Sequence, residues 1–216
     1  MSYVGGTIEN YGAGDSITTI NVVVPAASLD NDLICVALMQ QSGSSNITAP
    51  AGFTRVAQQV NVAGLQWTEL WTLDDDGTYA GDTLTFTGAV AGRLGIMCFV
   101  LRDSDNVGVV VEQSAGTNHN SSGTEPFSTV TSAGLGRIAM AISSCSVAGT
   151  GTITYSTPTG YTQMSRASVG DTPTHERNRL SISRIATDIG ALSGRSTIHS
   201  AATHDAATIH VLFKPV

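Results

Sequence analysis

Positive charge is nearly missing from this chain, which has one lysine, Lys214, and nine arginines against 17 acidic residues, for a formal net charge of −7. A nucleic-acid binder needs clustered Lys and Arg to displace counterions from phosphates, so that class is excluded. An anionic membrane surface is disfavoured for the same reason. Charged residues of both signs reach only 12%, about half of the ~25% usual in soluble chains. Cysteine is scarce as well: Cys35, Cys98 and Cys145 are odd in number, show no CxxC spacing and sit in or at the end of apolar runs. They read as small core hydrophobes, with a disulfide between two of them as the alternative. No apolar run approaches the ~20 residues that span a bilayer; the longest is Leu94 to Leu101, broken by Gly95. The start, MSYVGGTIENYG, lacks the basic n-region and apolar stretch of a signal peptide, so the expectation is synthesis and retention in the producer's cytoplasm.

Thr, Ser and 23 Gly take the place of charge. That mixture favours pleated strands and tight turns. Helical periodicity is scarce, while short runs alternate with period two, as in Trp67, Glu69, Trp71 and Leu73 against Thr68, Leu70 and Thr72. The pattern predicts strands near residues 4–9, 17–24, 33–40, 54–62, 65–73, 83–88, 95–102, 107–113, 137–144, 161–169, 179–187, 196–201 and 207–213. VAGL at 62–65 predicts a hairpin turn.

The chain also repeats itself. PAGFTRV at Pro50–Val56 returns as PTGYTQM at Pro158–Met164, a shift of 158 − 50 = 108 residues. NDLICVAL before the first copy is answered by GRIAMAI before the second, and Phe86 by Ile198 and Val100 by Phe213 after them. A period near 100 is too long for a solenoid or propeller, whose repeats run roughly 20–50 residues. It suits one all-β, jelly-roll-like antiparallel β-sandwich over 1–216 made of two related halves. The expected boundaries are an arm or edge strand at 1–15, a first half at 16–114, a connecting loop at 115–126 and a second half at 127–216. In each half, proline opens a turn, glycine allows the reversal and the aromatic, Phe53 or Tyr161, anchors the next strand in the core.

Residues that could carry chemistry are few. Gly14-Asp15-Ser16-Ile17 matches the nucleophile block of one esterase family, without the α/β frame such a serine needs; a turn before a strand is the plainer reading. Asp74, Asp75 and Asp76 could offer carboxylates to Ca²⁺ but lack the alternating spacing of an EF-hand, so a solvated turn is expected. His119, His175, His199, His204 and His210 show no convergence of the three or four ligands zinc requires. His210 is expected to alternate outward from Ile209 and Val211. No catalytic residue, metal or cofactor is therefore assigned. Trp67, Trp71 and Tyr79 raise a carbohydrate reading through ring stacking, against the plainer reading of core aromatics. Asn118, His119 and Asn120, in the 115–126 segment, are candidates for a glycan or partner contact.

The series INVVVPAASLDNDLICVALMQ, ITAPAGFTRV, FVLRD, ITYSTPTGYT and IHVLFKP resembles a family of duplicated β-sandwich domains found in tailed-bacteriophage structural proteins and bacterial surface proteins. Its recurring pattern is a Val-Pro-Ala start, a Gly-Asp-Leu-Leu strand and a Pro-Ala-Gly-Trp-Thr turn. Asn31 stands where that pattern has Gly, Phe53 and Tyr161 where it often has Trp, and Arg137 where it has an acid. The resemblance runs from about Ile20 to Val216 and brings no catalytic motif. It implies a non-enzymatic virion protein, a capsid decoration protein or a tail or fibre component. Such a protein would be homo-oligomeric and contact other virion proteins through Ser2–Asp15 and Ala115–Pro126. A carbohydrate-binding adhesin module is the rival reading.

Overall fold

The Pro-x-Gly-aromatic unit forms the same turn twice. In the computed structural model, which describes residues 1–11, 17–41, 47–61, 66–120, 124–147, 156–169, 177–193, 196–198 and 205–216, the Pro50 carbonyl accepts the Phe53 N–H at 3.4 Å. The Pro158 carbonyl accepts that of Tyr161 at 2.9 Å. Gly52 and Gly160, at φ of 87° and 84°, occupy the third position, which makes each a type II turn. A second left-handed position opens the apolar strand of each half, Asn31 at φ 65° and Gly136 at φ 70°. Asn tolerates that conformation because its short polar side chain can bond locally, so its presence there leaves the turn intact.

Fourteen strands are described and no helix: β1 (Ser2–Tyr11), β2 (Ile17–Val23), β3 (Leu33–Gln41), β4 (Ile47–Thr48), β5 (Thr54–Val60), β6 (Gln66–Asp74), β7 (Thr83–Arg102), β8 (Val109–Asn120), β9 (Thr124–Pro126), β10 (Val130–Val147), β11 (Thr162–Val169), β12 (Arg177–Leu192), β13 (Ser196–Ile198) and β14 (Asp205–Pro215). They build a β-sandwich with every described pairing antiparallel. The first half orders its main sheet β1-β7-β3-β6-β5, and the second half orders its own β8-β14-β10-β12-β11. Strand for strand these are one topology. Contacts between β1 and β11 at one margin and β5 and β8 at the other relate the halves by an approximate twofold between β3 and β10.

Each main sheet is covered on both faces. Between the sheets, Cys35, Ala37, Met39, Leu70, Met97, Phe99 and Leu101 meet Ile138, Met140, Ile142, Leu180, Ile182, Ile209, Val211 and Phe213. On the outer face of the first sheet, β2 and β4 pair with the start of β7 and cover Ile34, Val36, Leu38, Ile96, Cys98 and Val100 with Ile20, Val22, Leu84 and Phe86. On the outer face of the second, β9 pairs with β13, and Phe127 packs with Ala139, Ala141, Tyr161, Leu192 and Leu212. Double coverage explains why β3 is buried from Leu33 through Gln40 without alternation, as in sheets buried on both sides. Each fully buried Ile, Leu or Phe contributes about 1.5–3 kcal/mol, so these three layers supply the main stabilisation.

An ion pair stands near the left-handed residue of each half, with different partners. In the first half the Arg102 guanidinium grips Asp32 through Nε and Nη2, both at 2.7 Å, and the Leu29 N–H donates to the same carboxylate. In the second half Arg137 stands in the Asp32 position, since 137 − 32 equals the 136 − 31 = 105 that separates the two left-handed residues. It binds Glu112 at 3.2 Å through two nitrogens.

Several expectations change. Residues 83–88 and 95–102 belong to one long strand, β7, which serves the small sheet first and the main sheet afterwards. Within the expected connecting loop, 115–120 continue β8 against β14 and 124–126 form β9. β8 occupies in the second sheet the place β1 holds in the first, so β8 starts the second half and β1 is the edge strand of the first. Register pairs Ala37 with Met97 and Ile142 with Ile209, a shift of 209 − 97 = 112. That shift matches Val100 with Leu212 and leaves Phe213 for Leu101; slipping by one residue would put the side chain on the wrong face. The 62–65 turn lies outside the described residues.

A left-handed conformation costs an L-residue about 1–2 kcal/mol. Gly160→Ala is expected to lower stability by about that amount in urea unfolding. Gly52→Ala should cost more, because its Cβ would also meet Leu73 Cδ1 at 2.9 Å.

Candidate functional site

β6 lays Trp67, Glu69, Trp71 and Leu73 along the outer face of the first sheet, as the alternation predicts. The structure then separates the aromatics. Trp71 is committed: the Arg55 guanidinium lies 5.4 Å over its ring, Phe86 meets it edge-on at 6.3 Å, and its Nε1–H donates to Glu69 Oε2 at 2.8 Å. Phe53 packs edge-on against the same Phe86 at 5.5 Å, and Tyr79 packs against this outer core. Trp71 and Tyr79 are therefore margins of a core. Trp67 differs, since it is half-buried with a buried indole N–H that has no hydrogen-bond partner. Across the register from it stands Gln40, wholly buried, with both its amide oxygen and its amide nitrogen unpartnered. Sequence reading passed over Gln40 because it ends an apolar run; its only signal is an amide in the outward phase shared by Ile34, Val36 and Leu38.

Glu69 sits one rung along from this pair. Its buried carboxylate accepts Gln58 Nε2 at 3.0 Å and Arg55 Nη1 at 3.5 Å besides the Trp71 indole. Burial pushes its pKa above the ordinary glutamate value, and the Trp71, Arg55 and Gln58 donors pull only partly the other way. The wing formed by β5 and β6 thus joins a desolvated acid, a cation and two indoles on one face.

The acidic loop has a structural role. Asp75 is buried and accepts the Ser28 hydroxyl and the Gly77 N–H, the latter at 2.8 Å. Its backbone bonds to Asn31 and Asp32. Asp76 accepts both the hydroxyl and the N–H of Thr78, at 2.5 and 3.1 Å, and these bonds hold its carboxyl below the usual range. The carboxylates of Asp75 and Asp76 are thus already engaged locally, while Asp74 lines a small cavity with Val107 to Val110 and Val216. Among the described residues no three His, Cys, Asp or Glu converge as a metal site.

The second half places its polar residues on its own outer face. Asn118 is exposed on the edge strand β8, whereas His119 is buried with Nε2 3.3 Å from Thr208 Oγ1, and Asn120 pairs with Asp205 in the ladder. Ser143 donates to buried Glu125 at 2.6 Å. His210 does alternate away from Ile209 and Val211, yet it is fully buried, because the outer face there is a second core. Its Nδ1–H donates to the Ser128 carbonyl at 2.7 Å, and its Nε2 then accepts the Tyr161 hydroxyl at 2.5 Å. The two groups of candidates are far apart in the fold: Trp67 and Trp71 lie on β6 of the first sheet, with Tyr79 in the connection after it, and Asn118, His119 and Asn120 lie on β8 of the second. All three cysteines are buried and none is in a disulfide, and desolvation pushes the Cys98 thiol to about 12. Ser16, His175, His199 and His204 lie outside the described residues.

For Glu69 the folded pKa lies above the unfolded one, so its contribution to stability is complete below the ordinary glutamate range and is lost as pH rises through the raised value. Glu69→Gln is expected to flatten the stability profile above the ordinary glutamate range relative to the native protein, as read by urea unfolding at each pH. An unchanged slope would place the titration elsewhere.

No family model, no curated protein and no solved structure matches this chain.

Proposed function

We propose that this protein is a non-enzymatic structural component of a virion, a capsid decoration protein on the outer surface or a part of the tail or its fibres. The observation that carries the reading is the twofold stack of two like sheets, each capped by a small sheet. Such a slab is packed through its thickness by three apolar layers. It is poor in charge, with 12% charged residues, so it can be tiled against neighbours without stripping water from many ions. The resemblance to duplicated sandwiches of phage structural proteins supports the same role. The expected partners are copies of itself and a shell or tail protein. The loop end carrying exposed Leu29 and Val107 is the proposed contact.

Quantitative mass spectrometry of purified particles tests this. Hundreds of copies per particle would mark a decoration protein and a handful a tail component; absence from particles overturns the proposal. The double variant Leu29→Asp, Val107→Asp, which leaves all three cores intact, is expected to reduce incorporation without lowering the melting temperature. Unchanged incorporation would move the contact to another face.

A further inference from the structure

The repeated Pro-x-Gly-aromatic unit carries a second feature beyond its turn. In β5, Arg55 pairs with Trp71 and Ala57 with Leu70, so Val56 is an extra residue against β6. In β11, Gln163 pairs with Ser183 and Ser165 with Ile182, so Met164 is extra against β12. The two bulges lie 164 − 56 = 108 residues apart, the shift that also relates Pro50 to Pro158. β5 and β11 are edge strands, and Val56 and Met164 both pack against the core between the sheets.

The other two edges are broken as well. β8 holds Glu112 as an extra residue between Val111 and Gln113, which pair with Phe213 and Leu212. β1 slips between Val4 and Ile8, which pair with Val100 and Cys98. Ladders inside the sheets differ. β3 runs unbroken against β6 and β7, β10 runs unbroken against β14, and against β12 it is unbroken from Arg137 to Val147. A straight edge offers a row of N–H and C=O groups to which another chain can add, and a bulge spoils that row by bending and twisting the strand. Charged side chains, lysine above all, are another common protection. This chain has a single lysine, on β14 inside its sheet, and 12% charged residues, which leaves edge geometry to take that part.

We propose that the bulges block strand addition, so that neither a second copy of this chain nor a strand of a partner extends the main sheets. Contacts with copies are then made by loops and sheet faces. The margin where β5 meets β8 is closed further. The Val56 carbonyl accepts the Ser114 hydroxyl at 3.2 Å, the Gly116 carbonyl accepts the Ser128 hydroxyl at 3.1 Å, and Gln59 occupies the space a Cβ on Gly116 would need. One repeated unit thus supplies turn, anchor and blocked edge, and the block is independent of any place in a particle.

Deleting Val56 removes the extra residue and keeps the other β5–β6 pairs. The deletion variant is expected to self-associate, with a mass by light scattering at least about twice the native one and new hydrogen-exchange protection along β5. Val56→Ala, which keeps the bulge and loses packing alone, is expected to keep the native mass. A folded deletion variant of native mass overturns the proposal, as does association that leaves the β5 amides unprotected or that Val56→Ala shows equally. If the deletion variant does not fold, hydrogen exchange of the native protein decides. Protection along β5 and β11 is expected to be the same in dilute and concentrated solution; protection that rises with concentration means that strands do add there, and overturns the block.

Discussion

The inner faces of two five-stranded sheets can be joined only if their outer faces are also kept from water, and that constraint shapes the rest of the molecule. β3 and the second part of β7 are apolar on both sides, so a single sandwich would leave Ile34, Val36, Leu38, Ile96 and Val100 exposed. The small sheet formed by β2, β4 and the start of β7 removes that exposure. The length of β7 follows from it, because one strand must run from the cover to the sheet it covers. The second half solves the same problem with β9, β13 and Phe127.

The second outer core is more polar, and its changes come in sets. At the places of Leu38, Ile96 and Cys98 it has Ser143, Thr208 and His210, by the shifts of 105 and 112 drawn from the register. Each polar group has a partner there. Ser143 bonds to Glu125, Thr208 approaches His119, and His210 joins the Ser128 carbonyl to Tyr161, the residue that replaces Phe53. A tyrosine hydroxyl inside a core needs an acceptor, and His210 supplies it. The first outer core is almost wholly apolar and yet, among the described residues, contains a rung, Gln40 with Trp67, with buried polar atoms that lack a hydrogen-bond partner.

The duplication has a comparable lesson. What both halves share, the type II turn, the left-handed residue ahead of the apolar strand and the strand order, belongs to architecture. The ion pair near that residue is not part of the shared plan: Asp32 binds Arg102 on β7, whereas Arg137, in the Asp32 place, binds Glu112 on β8, the strand that answers β1.

Strand positions, the all-β class, the two halves and the anchoring roles of Phe53 and Tyr161 were legible in the chain, because alternation and turn chemistry are properties of neighbouring residues. β4 and β9 were not, being only two and three residues long, and the 115–126 segment read as a loop because its polar residues form an edge strand. Burial of His210 could not be read either, since it depends on a cover contributed from elsewhere in the chain, whereas the packing of Trp71 against a core agrees with its plainer reading. The candidate site has the same origin. Trp67 was visible as an aromatic, but Gln40 lies 67 − 40 = 27 residues before it, and only the register of β3 against β6 sets the amide opposite the indole. Local pattern thus determined which residues make strands and which way they face. Pairing over distance decided which polar atoms meet a partner and which are left without one.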